Sequence, residues 1–554
     1  MTRHDERNER NERNEREPSL GADRHILASS SPAGGLRLDE VAREIPGGAE
    51  IAGDPSVRVL GVHHDSRATG PGDLFVARKG AHSDGTKFAA DAIQRGASAL
   101  LIGRADLDSE AAVRARALGV PVLVVDDVRD GLAFASAAVY GHPTFAVETI
   151  GITGTNGKTT VAHLVRAALD GAIGAGPCCG ILGTVGHSFG SLRVDAGHTT
   201  PEADEIARVM AAMRRQGARY VAMEVSSHAL ALRRVRAVRF RVAAFTNLTQ
   251  DHLDFHGSMD HYADAKALLF TDCAPGSAVI NVDDAFGKRL AARVRAPLVR
   301  VSAKVSASET DADIAPIAVS ASARGIDVQF RTPQGNVAVA SRLVGTHNLE
   351  NLAVALGIVH ALELDLQRAA AALRDETGAP GRLERCDAPG DDVVVLVDYA
   401  HTPDALARVL ESVRAFAAGR IWCVFGCGGD RDPTKRRPMG HAAARGADAL
   451  IVTNDNPRSE DPRAISAEIV AGMLEAGAVA VGETVLGAGG RGYVVELDRA
   501  RAIAFAVSSA APGDVVLVAG KGHEGYQTVG GEKRPFDDRE EAHRALELRR
   551  ARGA

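Results

Sequence analysis

The sequence predicts an α/β protein of three domains behind a low-complexity tail. Three observations carry this reading. Short apolar runs of strand length alternate with helical stretches over most of the 554 residues, the pattern of parallel sheets covered by helices. A Gly-rich loop follows the first long apolar run of the middle region and leads straight into a helix. Towards the C-terminus, four apolar runs each finish in a cluster of Gly, Asp, His or Arg. At roughly 150 residues per domain, the length allows three to four domains.

Composition removes several classes of function. The 65 basic and 71 acidic residues nearly cancel, which leaves no electrostatic footprint for a nucleic-acid partner. The six Cys form no C-x-x-C pair and no disulfide framework, which fits a reducing cytoplasm. No apolar run reaches the roughly 18 residues of a membrane span.

Residues 1–36 form the tail. Its core, RHDERNERNERNERE at 3–17, holds no apolar residue to bury and is expected to be disordered, or at best a fluctuating salt-bridged helix. It lacks the apolar region of a signal peptide and is too acidic for a transit peptide. Residues 37–146 read as a small α/β domain, with strands at ALLIG and VPVLVV and a helix in GLAFASAAVYGHP that stops at Gly141 before Pro143.

Residues 147–379 read as a central parallel-sheet domain. Strands are expected at Ala146–Ile152, Tyr220–Val225, Val242–Thr246 and Ala278–Val282. The first leads into Gly154, Thr155, Asn156, Gly157, Lys158, Thr159 and Thr160. Strand, Gly-rich turn and helix N-terminus together make a phosphate loop, whose backbone N–H groups face phosphate oxygens. Lys158 would neutralise β/γ charge and Thr159 would place a hydroxyl on Mg²⁺. The loop departs from the strict G-x-x-x-x-G-K-[ST] pattern, since Ile152 stands where the first Gly would be. ATP or GTP binding follows, which by itself does not separate a switch, a motor and an enzyme. Glu224 lies at a strand's carboxyl end, where a further Mg²⁺ ligand would sit. His252 also lies past a strand end, and Lys266 lies on a helix; read alone, the first is a structural hydrogen-bonder and the second a solvated charge.

Residues 380–554 read as a Rossmann-like domain with strands at Val393–Val397, Ile421–Phe425, Ala449–Thr453 and Val515–Ala519. In a doubly wound sheet their loops share one edge, where sites form. Arg431 and Arg458 offer forks for a carboxylate, and Asp455 and Glu524 offer partners for an ammonium, so an amino acid is the expected ligand.

The ordered set GTNGKTT (154–160), TTPE (199–202), MEVSSHAL (223–230), TNLTQDHLDFHG (246–257), HYADAK (261–266), GTHNLENLAVA (345–355), APGRLE (379–384), DYAHTPDAL (398–406), GCGGDRD (426–432), DNPR (455–458) and GKGHE (520–524) resembles the Mur ligases over about residues 55–545. Within them it is most similar to the branch that adds the third residue to the UDP-N-acetylmuramoyl-dipeptide precursor of peptidoglycan. The resemblance implies an N-terminal domain for the UDP end, a central ATPase domain and a C-terminal domain for the incoming amino acid.

It further implies that Ser66, His82, Ser83, Asp84, Thr199, Thr200, Ser226 and Arg234 hold the precursor. Asn348, Arg382 and Asp398 join the phosphate loop in holding ATP, and Glu224, His252 and Thr159 join a CO₂-carbamylated Lys266 in holding Mg²⁺. Arg431, Asp455, Asn456, Pro457, Arg458, Gly520 and Glu524 take the amino acid, and the form DNPR implies meso-diaminopimelate, because an Arg fork rewards its far carboxylate. The implied activity is an ADP-forming, acyl-phosphate peptide synthase, serving cell-wall biogenesis and thereby cell shape and division; a monomer in the cytoplasm is expected. A lysine-adding ligase and a folylpolyglutamate synthase are the alternatives within the superfamily, and a phosphate-loop switch is the alternative outside it. Leu232 departs from the Gln that relatives often carry near the precursor.

Overall fold

The computed structural model describes residues 34–80, 83–305, 311–322, 325–345 and 347–553. Residues 1–33 of the tail and His82 of the HSD stretch lie outside them.

The N-terminal sheet runs Glu50–Ala52, Val122–Val125, Ala99–Gly103, Asp73–Val76, Gly61–His63, parallel except for its first strand. Ala99–Gly103 and Val122–Val125 are buried along their whole length, as strands covered on both faces must be. Leu101, Leu123 and Val125 pack under the helix Val128–Val139, while Leu100, Ile102, Val122 and Val124 pack under Glu110–Ala117. That helix ends two residues before Gly141, whose φ of 72° turns the chain into Pro143.

The central sheet has eight strands in the order Leu192–Val194, Gly186–Phe189, Cys179–Gly183, Tyr220–Glu224, Glu148–Thr153, Phe240–Phe245, Ser277–Asn281, Leu298–Val301. The six from Cys179–Gly183 onwards are parallel. Ile150, Ile152, Ala222 and Ala244 face the helices Lys158–Ile173 and His347–Ala361. Val221, Met223, Ala243 and Phe245 face Ala203–Arg215 and Met259–Thr271. The strand expected from Ala146 starts at Glu148 instead, because Pro143 opens a short helix over Pro143–Ala146.

Sequence reading did not foresee the antiparallel sheet of Ala315–Ser322, Gly325–Thr332 and Gly335–Ser341. Its strands alternate between buried and exposed residues, and Val328, Phe330, Val337 and Val339 complete the core over the phosphate-loop helix.

The C-terminal sheet runs Glu384–Arg385, Val394–Asp398, Val515–Ala519, Ile421–Phe425, Ala449–Val452, Gly492–Val495, parallel after its first pair. Two expected strands have the expected bounds, one shifts by one residue and one ends a residue early. The four carboxyl ends at Asp398, Ala519, Phe425 and Val452 are neighbours, so their loops share one edge. A hairpin of Tyr526–Val529 and Glu532–Pro535 leans over that edge through the bridge from Arg458 to Val529.

Candidate active site

The phosphate loop leaves Thr153 and enters the helix at Lys158. Gly157, at φ 85°, is left-handed, and a Cβ there would fall on the Asn351 amide. A Cβ at Gly154 would fall on the Thr246 hydroxyl. The next strand end braces the loop: Asn247 accepts from the Thr155 N–H at 2.8 Å and from the Asn156 N–H at 2.9 Å, and the Thr246 hydroxyl donates to the Asn156 carbonyl at 2.6 Å. Thr246, Asn247 and Asn351 were missed by sequence reading; Thr246 and Asn247 stand at a strand end, the same signal that marked Glu224.

Lys158 donates to the carbonyls of Gly154 and Thr155, both at 2.9 Å. Loss of solvation pushes its ammonium below the ordinary lysine value, against the pull of Glu224. Lys266 is only 1% exposed and donates to the same Gly154 carbonyl at 2.8 Å, with its nitrogen 4.4 Å from the Tyr262 ring centre. Burial first, and the charge of Lys158 second, hold Lys266 well below the usual lysine range. A helical lysine that reads as solvated is thus buried against the phosphate loop, and the signal lay in long-range packing.

Glu224 is buried, and its carboxylate accepts from the Thr159 hydroxyl at 2.8 Å and from the N–H and hydroxyl of Thr184 at 2.8 and 3.1 Å. The Thr184 oxygen also hydrogen-bonds the Thr199 hydroxyl at 3.0 Å, so this unforeseen residue ties Glu224 to the TTPE segment. His252 is exposed, left-handed at φ 51°, 3.6 Å from Asp251, and edge-on to His228. The structure therefore brings Thr159, Glu224, Lys158 and Lys266 to the loop and leaves the His252 side chain facing solvent. No cluster of three His, Cys, Asp or Glu gathers as a metal cage among the described residues.

Asn348 is buried, donates to the Val344 carbonyl at 2.7 Å and accepts from Asn351 at 2.8 Å, which connects it to Gly157. Asp398 accepts from the N–H groups of Leu383 and Ala400 at 2.7 and 2.8 Å, yet burial raises its pKa. Arg382 lies over the Tyr399 ring at 5.2 Å.

Among the residues expected to hold the precursor, the Thr200 hydroxyl donates to the Glu224 carbonyl oxygen at 2.9 Å and accepts from the Ser226 N–H at 2.9 Å. Arg234 donates to the Thr200 carbonyl at 3.0 Å. Ser66 is buried in the N-terminal domain, Asp84 caps the turn Gly85–Phe88, and Ser83 accepts from the Gly80 N–H at 2.8 Å.

At the C-terminal sheet, Asn456 is the hub. Its amide donates to Glu524 at 3.0 Å and accepts from Lys521 at 3.2 Å and from the Thr528 N–H at 2.9 Å. Lys521 is fully buried and lies 3.3 Å from Glu524 and 3.7 Å from Asp455. Burial, then the neighbouring Asp455 charge, pushes the Glu524 carboxyl up. Arg458, left-handed at φ 52°, donates to the Gly429 carbonyl at 2.8 Å, while Arg431 stands on the same Gly-rich loop. Pro457 is buried and Gly520 has φ 120°. The structure thus gathers all the residues expected to hold the amino acid and adds Lys521, which sequence reading passed over between Gly520 and Glu524.

Comparison with known proteins agrees with this geometry. Residues 58–140 match the model of the Mur ligase family, catalytic domain; 152–359 the Mur ligase middle domain; and 381–522 the Mur ligase, glutamate ligase domain. A UDP-N-acetylmuramoyl-L-alanyl-D-glutamate–2,6-diaminopimelate ligase of Gloeobacter violaceus is 45% identical over 519 residues, covering 94% of this chain and 99% of the relative. The Streptomyces coelicolor protein of the same name is 43% identical over 527 residues, covering 95% and 98%. A solved structure of a ligase of that name superposes with a TM-score of 0.66 at 31% identity, covering 93% of this chain and 99% of that one. With identity sustained over nearly the whole length, and with the motifs folded onto two adjoining sheet edges, the chain belongs to the Mur ligase family.

Proposed function

We propose that the protein is an ATP-dependent peptide synthase that adds meso-diaminopimelate to UDP-N-acetylmuramoyl-L-alanyl-D-glutamate in peptidoglycan precursor synthesis. The observation that carries this is one chain holding a phosphate loop at one sheet edge and paired Arg, Lys and carboxylate groups at another, in a family whose matched relatives bear that name.

The precursor's D-glutamyl carboxylate attacks the γ-phosphorus of ATP, the bond to ADP breaks, and an acyl phosphate forms. The amine of diaminopimelate attacks the acyl carbon, gives up a proton, and phosphate leaves. Lys158 exchanges its carbonyl partners for the β/γ-phosphates. Thr200, Ser226 and Arg234 orient the D-glutamyl end, Ser66 and the HSD stretch take the UDP, and Asn348, Arg382 and Asp398 take the rest of the nucleotide. Thr159, Glu224, a His252 turned in from solvent and a modified Lys266 would hold Mg²⁺, which would supply further neutralisation of phosphate charge. The fit rests on a carboxylate already oriented by three hydrogen bonds.

Lys266 is carbamylated in this reading: a neutral amine adds to CO₂ and releases a proton, turning a cation into an anionic oxygen ligand. Its buried, deprotonation-favouring setting supports this. Labelling with ¹³C-bicarbonate should give a carbamate NMR signal that Lys266→Met abolishes.

Arg431 and Arg458 bind carboxylates, and Asp455, Asn456 and Glu524 bind the distal ammonium. The reading places the enzyme in the cytoplasm, where ATP and UDP-linked precursors are found, and takes it as a monomer whose oligomeric state sedimentation would check. Among the described residues no helix is long and apolar enough to cross a membrane. Phosphate release assayed with each acceptor and amino acid tests the reading. Release should need both the precursor and diaminopimelate; use of lysine in its place points to the lysine-adding reading, and release without either points to a switch.

A further inference from the structure

The segment TTPE ends in a carboxylate to which the mechanism gives no task. Glu202 is 7% exposed and precedes the helix Ala203–Arg215 of the central region. Two arginines converge on it. Arg78, from the N-terminal domain, makes a fork at 3.0 and 3.1 Å, and Arg234 pairs with it at 2.9 Å. A bidentate guanidinium fixes the carboxylate's plane, which in turn fixes the second arginine.

Each arginine reaches a different part of the proposed precursor site. The Arg78 carbonyl accepts from the Gly85 N–H at 2.9 Å, and the turn that starts at Arg78 is closed by the Lys79–Asp84 pairing and by Gly80 donating to Ser83 at 2.8 Å. Arg234 donates to the Thr200 carbonyl at 3.0 Å, while its buried Nε–H has no acceptor among the described residues. A buried donor left open beside Thr200 and Ser226 is what an incoming carboxylate or amide oxygen would fill.

We infer that Glu202 is a positioning residue that couples the two ends of the precursor, holding Arg234 ready for the dipeptide only while Arg78 keeps the UDP-side turn docked. The inference rests on the proposed activity. Neither arginine can be released singly, because breaking one arm leaves the carboxylate and the other guanidinium under-compensated in a dry site.

Steady-state phosphate release tests it, with the UDP-linked precursor and with a muramoyl dipeptide lacking UDP. The unaltered enzyme is assayed first; absence of precursor-dependent release there would sink the functional reading, not the coupling. Glu202→Gln and Arg78→Gln should each raise KM for the precursor by about 10- to 100-fold and leave the KM values for ATP and diaminopimelate within about twofold. Both should lose as much on the short acceptor, since the damage reaches the dipeptide end. Arg78→Gln should add little in an Arg234→Gln background. Arg78→Lys, which keeps the charge and drops the fork, serves if the Gln variants do not fold, and should raise precursor KM alone. A loss confined to the UDP-linked acceptor, additive losses in the double variant, or equal rises in all three KM values would each overturn the inference.

Discussion

At the central sheet, seven consecutive residues from Gly154 to Thr160 make the phosphate loop, and two lysines rest on its own carbonyls. At the C-terminal sheet, neighbouring strand ends and the hairpin Tyr526–Pro535 contribute single residues, and the buried cation Lys521 is already paired with two carboxylates, those of Glu524 and Asp455. The nucleotide end therefore holds its charge on weak, exchangeable partners that phosphate can displace. The proposed amino-acid end is preorganised, its charges held in place before any ligand arrives.

This difference orders the consequences of mutation. Removing the displaceable cation should be the most severe: Lys158→Met lowers kcat for phosphate release by about 10³-fold or more, because the proposed mechanism gives this ammonium the β/γ-phosphate charge to neutralise. Thermal unfolding should stay near that of the unaltered chain, since the lysine's present partners are two carbonyls. A kcat within tenfold of the parent would show that Lys158 is not parked for catalysis.

At the preorganised end the cost should fall on recognition. Arg458→Lys replaces a fork by a point charge and should raise KM for diaminopimelate by about 10- to 100-fold with ATP unaffected. Near-parental turnover at low diaminopimelate would remove the Arg458 assignment. Lys521→Met should raise the same KM by about tenfold, because Asn456 and the two carboxylates lose the buried cation that orients them. A parallel loss of ATP affinity would mean that the variant disturbs the whole sheet edge and not the recognition cluster alone.

The same contrast explains what could be read from the sequence. The phosphate loop was legible because its residues are contiguous and because strand and helix flank it. The strand-end clusters were legible one by one, since apolar runs stop visibly at Gly426, Asn454 and Gly520. Contacts made across the chain were not. Lys266 meets Gly154 from 112 residues away, and Asn456 meets Thr528 from 72 away. No local pattern encodes such pairs, so Lys266 acquired its importance only through family resemblance and Lys521 through the fold. The antiparallel sheet at 315–341 escaped because its strands mix buried and exposed residues and lack the fully buried apolar runs that marked the parallel strands.

A milder perturbation, pH, should separate the two ends by sign. Lys158 has its pKa lowered by desolvation, so the charged form that phosphate needs is lost as pH rises through a value below the ordinary 10.5. The kcat/KM for ATP should then carry an alkaline edge that falls tenfold per unit above that pKa, about 1.4 kcal/mol per unit. Glu524 has its pKa raised by burial and by Asp455, so the anionic form that an ammonium needs is lost as pH falls through a value above the ordinary 4.5. The kcat/KM for diaminopimelate should carry an acid edge there, and Glu524→Gln should erase that edge while leaving the alkaline edge for ATP in place. Two edges that moved together in this variant would mean that the ends share one titrating group and are not built on separate principles.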